Sequence, residues 1–154
     1  MLHPILYFYI LLFYLHHLDQ GLSEIKRVLS KKGTFYCSTY SHRHMQEITE
    51  LVQEFDSRIE LSDEKLYKKF GLENGREILK PYFNKIVMHP YHDYLLVDEA
   101  EPIVQYILSC HGNQNEYLND RYEEFKNFIQ DKIEKQGALK ITKESSIFIC
   151  SNEN

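Results

Sequence analysis

The side chains best suited to chemistry are histidines in two short clusters. His42 and His44 lie in the sequence SHRH, and His89 and His92 in HPYH. Imidazole titrates near neutral pH, moves protons and ligates metals, so either pair could serve a site. Neither pair has a cysteine or carboxylate at ligand spacing, and we expect no metal centre. His16 and His17 precede a helical pattern and read as exposed loop residues. Three cysteines, Cys37, Cys110 and Cys150, are odd in number and far apart, without a CxxC. That spacing argues against a disulfide framework or a zinc site and fits a reduced, cytoplasmic compartment. Cys37 and Cys150 fall in strand-like segments, where a buried, inert thiol is expected. No GxSxG, HExxH, phosphate-binding loop or Cys/His nucleophile pattern occurs.

The elements that must hold these side chains can be read from periodicity. Leu18, Leu22, Ile25 and Leu29 form one apolar stripe, so a helix is predicted from Leu18. Asp19 near its start and Lys31 and Lys32 near its end complement the helix dipole. Gly33 is expected to close it in a left-handed conformation. TFYCSTY, 34–40, is rich in β-branched and aromatic residues and predicts a strand that delivers the SHRH loop.

A second stripe, Met45, Ile48, Leu51, Val52 and Phe55, predicts another helix. The stretch 56–63 is polar and expected to be irregular. Short helices are predicted over 65–70 and, entered from Asn74, over 77–83, with Pro81 in its last turn. KIVMHPYHDYLLV, 85–97, is strand-like, and Pro90 predicts either two pieces or an edge position. A helix is expected over 98–110 and a loop over 112–115. A long stripe, Leu118, Tyr122, Phe125, Ile129 and Ile133, is expected to end at Gly137. Segments 139–142 and 146–151 are expected to form a closing β-hairpin through a turn at Lys143, Glu144 and Ser145.

The chain has 154 residues, 43% hydrophobic and 27% charged, normal values for a globular protein with a real core. Its formal net charge of −5 argues against nucleic-acid binding. Lysine pairs at 31–32 and 68–69 are read as solvated faces. The segment 4–15, PILYFYILLFYL, is uncharged and too short to span a bilayer as a helix. It lacks the basic flank and cleavage site of a secretory signal. Its composition suits a buried strand; contact with a membrane and a stretch with no native role stay open as alternatives. No repeat or low-complexity linker marks a domain boundary.

The run LDQGLSEIKRVLSKKGTFYCSTY, 18–40, resembles the fifth-strand region of class I S-adenosylmethionine-dependent methyltransferases. There a helix of the form aLxEixRvLkpgG leads into a strand such as tfyxsT. Leu22, Glu24, Ile25, Arg27, Val28, Leu29, Gly33, Phe35 and Thr39 match, and Lys32 stands where the family has proline. The segments 70–75, 94–95 and 106–109 resemble substrate-side parts of small bacterial members, and 137–150 resembles the family's final hairpin.

The resemblance implies an α/β fold: an incomplete Rossmann-like three-layer sandwich, its sheet mostly parallel with a C-terminal antiparallel hairpin. It implies one truncated methyltransferase-like domain over 1–154, from a truncated or frame-disrupted gene restarting at Met1. The parent activity is methyl transfer from S-adenosylmethionine to an acceptor. The family's cofactor site needs a glycine-rich turn after the first strand and a carboxylate for the ribose. The chain has six glycines, no GxG, and none that follows a first strand. We therefore expect no S-adenosylmethionine binding by this chain alone, and inactivity in isolation. Phe13, Tyr14 and Leu15 correspond to the region beside the cofactor, where Ile10 or Leu11 replaces the expected polar residue. Tyr40, His42 and His44 correspond to the substrate side. The alternative is a non-catalytic, self-associating or protein-binding remnant. Loss of the first strands implies an open sheet edge near the N-terminal strand and a homodimer across it.

Overall fold

In a computed structural model of the chain, residues 5–7, 12–62 and 64–152 are described. Strand β1, Ile5–Tyr7, is followed by a 3-10 turn, Leu12–Tyr14, and helix α1, Leu18–Val28. The rest of segment 4–15, including the Ile10 and Leu11 substitution, lies outside the described residues. Leu22 and Ile25 of α1 are buried, as its stripe predicts, with Leu18 and Leu29 packed at the margin. Strand β2, Thr34–Tyr40, comes next. The helix stops earlier than expected: Leu29 is already extended, and Lys26 and Arg27 occupy the last turn. Gly33 does not take a left-handed conformation. Its N–H closes a turn onto the Ser30 carbonyl at 2.8 Å, so the chain leaves the helix through that turn.

Helices α2, Gln46–Phe55, α3, Leu66–Lys69, and α4, Gly75–Leu79, precede strand β3, Lys85–Val97. Helix α4 ends before Pro81. Asn74 does not cap it with its side chain; its Oδ1 accepts the Gly71 N–H at 2.7 Å and its Nδ2 donates to the Lys68 carbonyl. Helices α5, Ala100–Leu108, α6, Gln114–Leu118, and α7, Tyr122–Gln136, fill the next stretch, and strand β4, Leu139–Ser151, closes the fold. Gly137, at φ +81°, ends α7, where a Cβ would be strained. The predicted loop at 112–115 gives way to α6, which takes Leu118 from the stripe assigned to α7.

The sheet order is β1-β2-β4-β3. β1 pairs parallel to β2, with Ile5 opposite Thr34 and Tyr7 opposite Tyr36. β2 pairs antiparallel to β4, from Thr34 opposite Ser151 to Tyr40 opposite Ser145. The described strands thus make a mixed sheet whose longest register is antiparallel, not the mostly parallel sheet expected. The closing hairpin is also corrected: 139–151 is one continuous strand. Lys143, Glu144 and Ser145 include no residue that readily turns the backbone back, and the β2 ladder runs on through Ser145. Pro90 does not break β3. The strand takes the last place in the sheet order, where a residue without an N–H is tolerated.

The chain divides into two compact units of non-contiguous segments. The first comprises 1–44, 66–92 and 144–154; the second comprises 45–65 and 93–143. In the first, Leu22, Phe35, Cys37, Phe70, Phe83 and Phe148 lead the core. Gly75 is required there by close approach, since a Cβ would lie 2.7 Å from the Phe148 ring. In the second, α2, α5 and α7 contribute Val52, Val104, Ile107, Phe125 and Ile129 to a separate apolar core. Its charges are paired: Asp56 with Arg58 and Arg121, Lys132 with Glu54, and Lys126 with Glu101. No helix among the described residues is long and apolar enough to cross a membrane.

Candidate functional site at the end of strand β2

The C-terminal end of β2 gathers polar and aromatic side chains, all within the first unit. β2 alternates half-buried and buried residues, which sends Phe35, Cys37 and Thr39 into the core. Thr39 Oγ1 donates to the Phe70 carbonyl at 2.6 Å, and the Leu72 N–H donates to the Tyr40 carbonyl at 3.3 Å. These bonds moor the loop 70–75 beside the strand end. The loop then presents Glu73 to His42.

His42 Nδ1 lies 2.7 Å from Glu73 Oε1, and the His42 backbone N–H donates to the same oxygen at 3.2 Å. Burial acts to raise the Glu73 pKa, but the hydrogen bonds from His42 and the backbone outweigh it and hold the carboxyl below its usual range. When Nδ1–H donates to Glu73, neutral His42 carries its lone pair on Nε2, the arrangement of a carboxylate-oriented base. The side chains remain about half exposed, at 55% and 45%, so water screens the pair.

A second chain of contacts starts at Ser41. Its hydroxyl donates to Glu144 Oε2, and its N–H donates to the Glu144 carbonyl at 3.1 Å. The Glu144 N–H donates to His44 Nδ1 at 3.1 Å, which places the His44 proton on Nε2. His92 Nδ1 lies 3.5 Å from Glu144 Oε1. Ser146 Oγ donates to the His89 carbonyl at 2.8 Å.

An aromatic row runs alongside. Phe13 meets Tyr40 edge-on at 5.5 Å between centroids, Tyr40 meets His44 at 5.3 Å, and Phe13 touches Tyr14 at 4.9 Å. Of the residues the resemblance assigns to the cofactor side, Phe13 is core at 5% exposure. Tyr14, 60% exposed, and Leu15 are open to solvent. The substrate-side set divides: Tyr40 and His44 join the aromatic row, while His42 turns to Glu73.

The two histidine clusters are not brought together as metal ligands. Among the described residues no group of three or more His, Cys, Asp or Glu is placed to hold a metal ion. All three cysteines are free thiols. A hydrogen bond with Cys150, and then burial, push the Cys37 thiol far up and keep it protonated. Sequence reasoning missed Ser41, Glu73 and Glu144 as members of the cluster. Glu73 sits in a segment flagged as substrate-side, which was the available signal; Glu144 was assigned to a turn.

The residues present do not fit an S-adenosylmethionine cradle. A Cβ on Gly21, Gly71, Gly75 or Gly112 would meet Leu15, the Tyr67 carbonyl, Phe148 or the Glu60 carbonyl. The space these glycines leave is filled by the chain itself.

Among solved structures, the fold is similar to that of a candidate methyltransferase from Bacillus halodurans C-125, with a TM-score of 0.54 and 14% sequence identity. The match covers 98% of this chain and 64% of that one, so the chain spans about two-thirds or less of that protein's length. At this identity the likeness concerns the fold. No family model matches the chain, and no curated protein matches its sequence.

Proposed function

We propose that the chain is the C-terminal, substrate-side portion of a class I S-adenosylmethionine-dependent methyltransferase fold, inactive in methyl transfer by itself. The observation that carries this reading is the parallel strand–helix–strand unit β1-α1-β2 beside antiparallel β4. It stands in a fold similar to that of the Bacillus halodurans protein. In open α/β sheets, ligands gather at the C-terminal ends of parallel strands, and the polar cluster lies at that end of β2. The reading includes the single truncated domain over 1–154, the incomplete three-layer sandwich and a cytoplasmic location.

In the complete fold, Tyr40, His42 and His44 would face the methyl acceptor. Tyr14 and Leu15 would lie toward the cofactor, with Phe13 supporting Tyr40 from the core. His42, oriented by Glu73, has the form of a base that accepts the acceptor's proton as the methyl group arrives. The glycine-rich cofactor turn is not encoded in these 154 residues. Titration calorimetry of the chain with S-adenosylmethionine is expected to show no binding in the micromolar range. A one-site micromolar isotherm would overturn the reading.

The second reading is a self-associating, non-catalytic protein, and the exposure of β3 favours it. Light scattering is expected to show a homo-oligomer; a stable monomer at high concentration opposes it.

A further inference from the structure

Strand β3 stands last in the sheet order, and every residue from Val87 to Leu96 is exposed. Among them are Val87, Met88, Tyr91, Tyr94, Leu95 and Leu96. Neighbouring strand residues point to opposite faces, so the pairs 87–88 and 95–96 make both faces of this edge apolar. An edge that stays solitary in water is usually short, or guarded by lysines or inward charges. This one is thirteen residues long, and its lysine stands only at its start.

We infer that a second copy of this chain docks on β3, antiparallel, with the two-fold axis at Tyr91. The sequence of the strand is self-complementary in that register. Val87 faces Leu95, Met88 faces Tyr94, Ile86 faces Leu96, and Tyr91 faces its own copy. His89 faces Asp93, so the pairing matches charge as well as apolar surface. The two nearest registers that keep the faces aligned lose this match. One sets Val87 against Asp93 and Met88 against His92; the other sets His89 against Leu95 and Tyr91 against Asp93. Pro90 removes one donor from each strand, which thins the ladder beside the axis without altering the side-chain match. Because the same edge is used by both copies, the assembly closes as a dimer. The inference deepens the self-association reading above by naming its surface and register.

Disulfide trapping of the full chain tests the register. Across the two-fold axis, paired Cα atoms lie about 4.5–5.5 Å apart, within reach of a disulfide. With oxidised glutathione as oxidant, two Tyr91→Cys thiols would form one disulfide, and glutathione disulfide would be reduced to two glutathione thiols. Tyr91→Cys is expected to yield a covalent dimer. Val87→Cys alone is expected to yield none, but to cross-link when mixed with Leu95→Cys. By sedimentation, His89→Glu should weaken the dimer by about tenfold by placing like charges opposite at two sites. Adding Asp93→Lys should restore it. All these positions are exposed, and circular dichroism confirms folding. A chain that stays monomeric overturns this inference and the self-association reading together. A dimer that Tyr91→Cys does not trap, or that His89→Glu leaves unchanged, overturns this surface alone.

Discussion

β2 and β3 belong to one sheet and draw on the same residue types, tyrosine with β-branched and other apolar side chains, yet they live in opposite environments. β2 lies between β1 and β4 and buries every second residue. β3, at the end of the sheet order, leaves nearly its whole length in water. Strand propensity is therefore common to both and explains neither. What differs is what lies beside and over each strand: Phe70, Phe83 and Phe148 share the core with β2's inward residues. The lesson extends to function. β2 is rigid enough to position side chains at its end, whereas β3 offers surface.

The contrast is most sharply tested by truncating one residue from each environment. Phe148→Ala, at a fully buried position on β4 beside β2, is expected to cost about 3–5 kcal/mol in urea unfolding. Leu96→Ala on β3, where Leu96 is 62% exposed, is expected to cost under about 0.5 kcal/mol in the monomer. Similar losses at the two sites would erase the distinction.

A smaller effect is expected where β2 moors the loop of the candidate site. Thr39→Val keeps the shape but leaves the Phe70 carbonyl without its donor, a loss of about 1–3 kcal/mol. It should also loosen the loop that carries Glu73. A change in amide exchange confined to residues 70–75 would mark that coupling, and unaltered stability would remove Thr39 from it.

The smallest effect belongs to exposed charge in the second unit. Hydrogen bonds from Lys126, then Tyr122 and Gln105, hold Glu101 at about 2, below its ordinary 4.5. A carboxyl depressed in the folded state stabilises it above the ordinary value, and that contribution is lost as pH falls from about 4.5 toward about 2. Glu101→Gln should flatten the acid limb of stability over that window and leave the neutral plateau nearly unchanged. Glu73 acts with the same sign through His42. An acid limb unaffected by Glu101→Gln would place the acid sensitivity elsewhere.

Helices α1, α2, α5 and α7 were legible because a buried stripe repeats every three to four residues and each helix satisfies its own backbone. β2 was legible from composition. The fate of 139–151 was not: a continuous strand and a hairpin share the same alternating residues, and only the presence of β2 alongside decides between them. The candidate site was half legible. Tyr40, His42 and His44 follow the strand in sequence, but their carboxylate partners do not. Glu73 comes from a loop moored by Thr39, and Glu144 arrives from β4, one hundred residues after His44.

By itself, the sequence determined the local elements, the missing glycine-rich turn and the free thiols, because these depend on residue type and short spacing. Only the tertiary structure decided the mixed sheet order, the exposed length of β3 and the pairing of His42 with Glu73. Those outcomes depend on which distant segments come into contact, and a contact between distant segments leaves no periodic trace in either one.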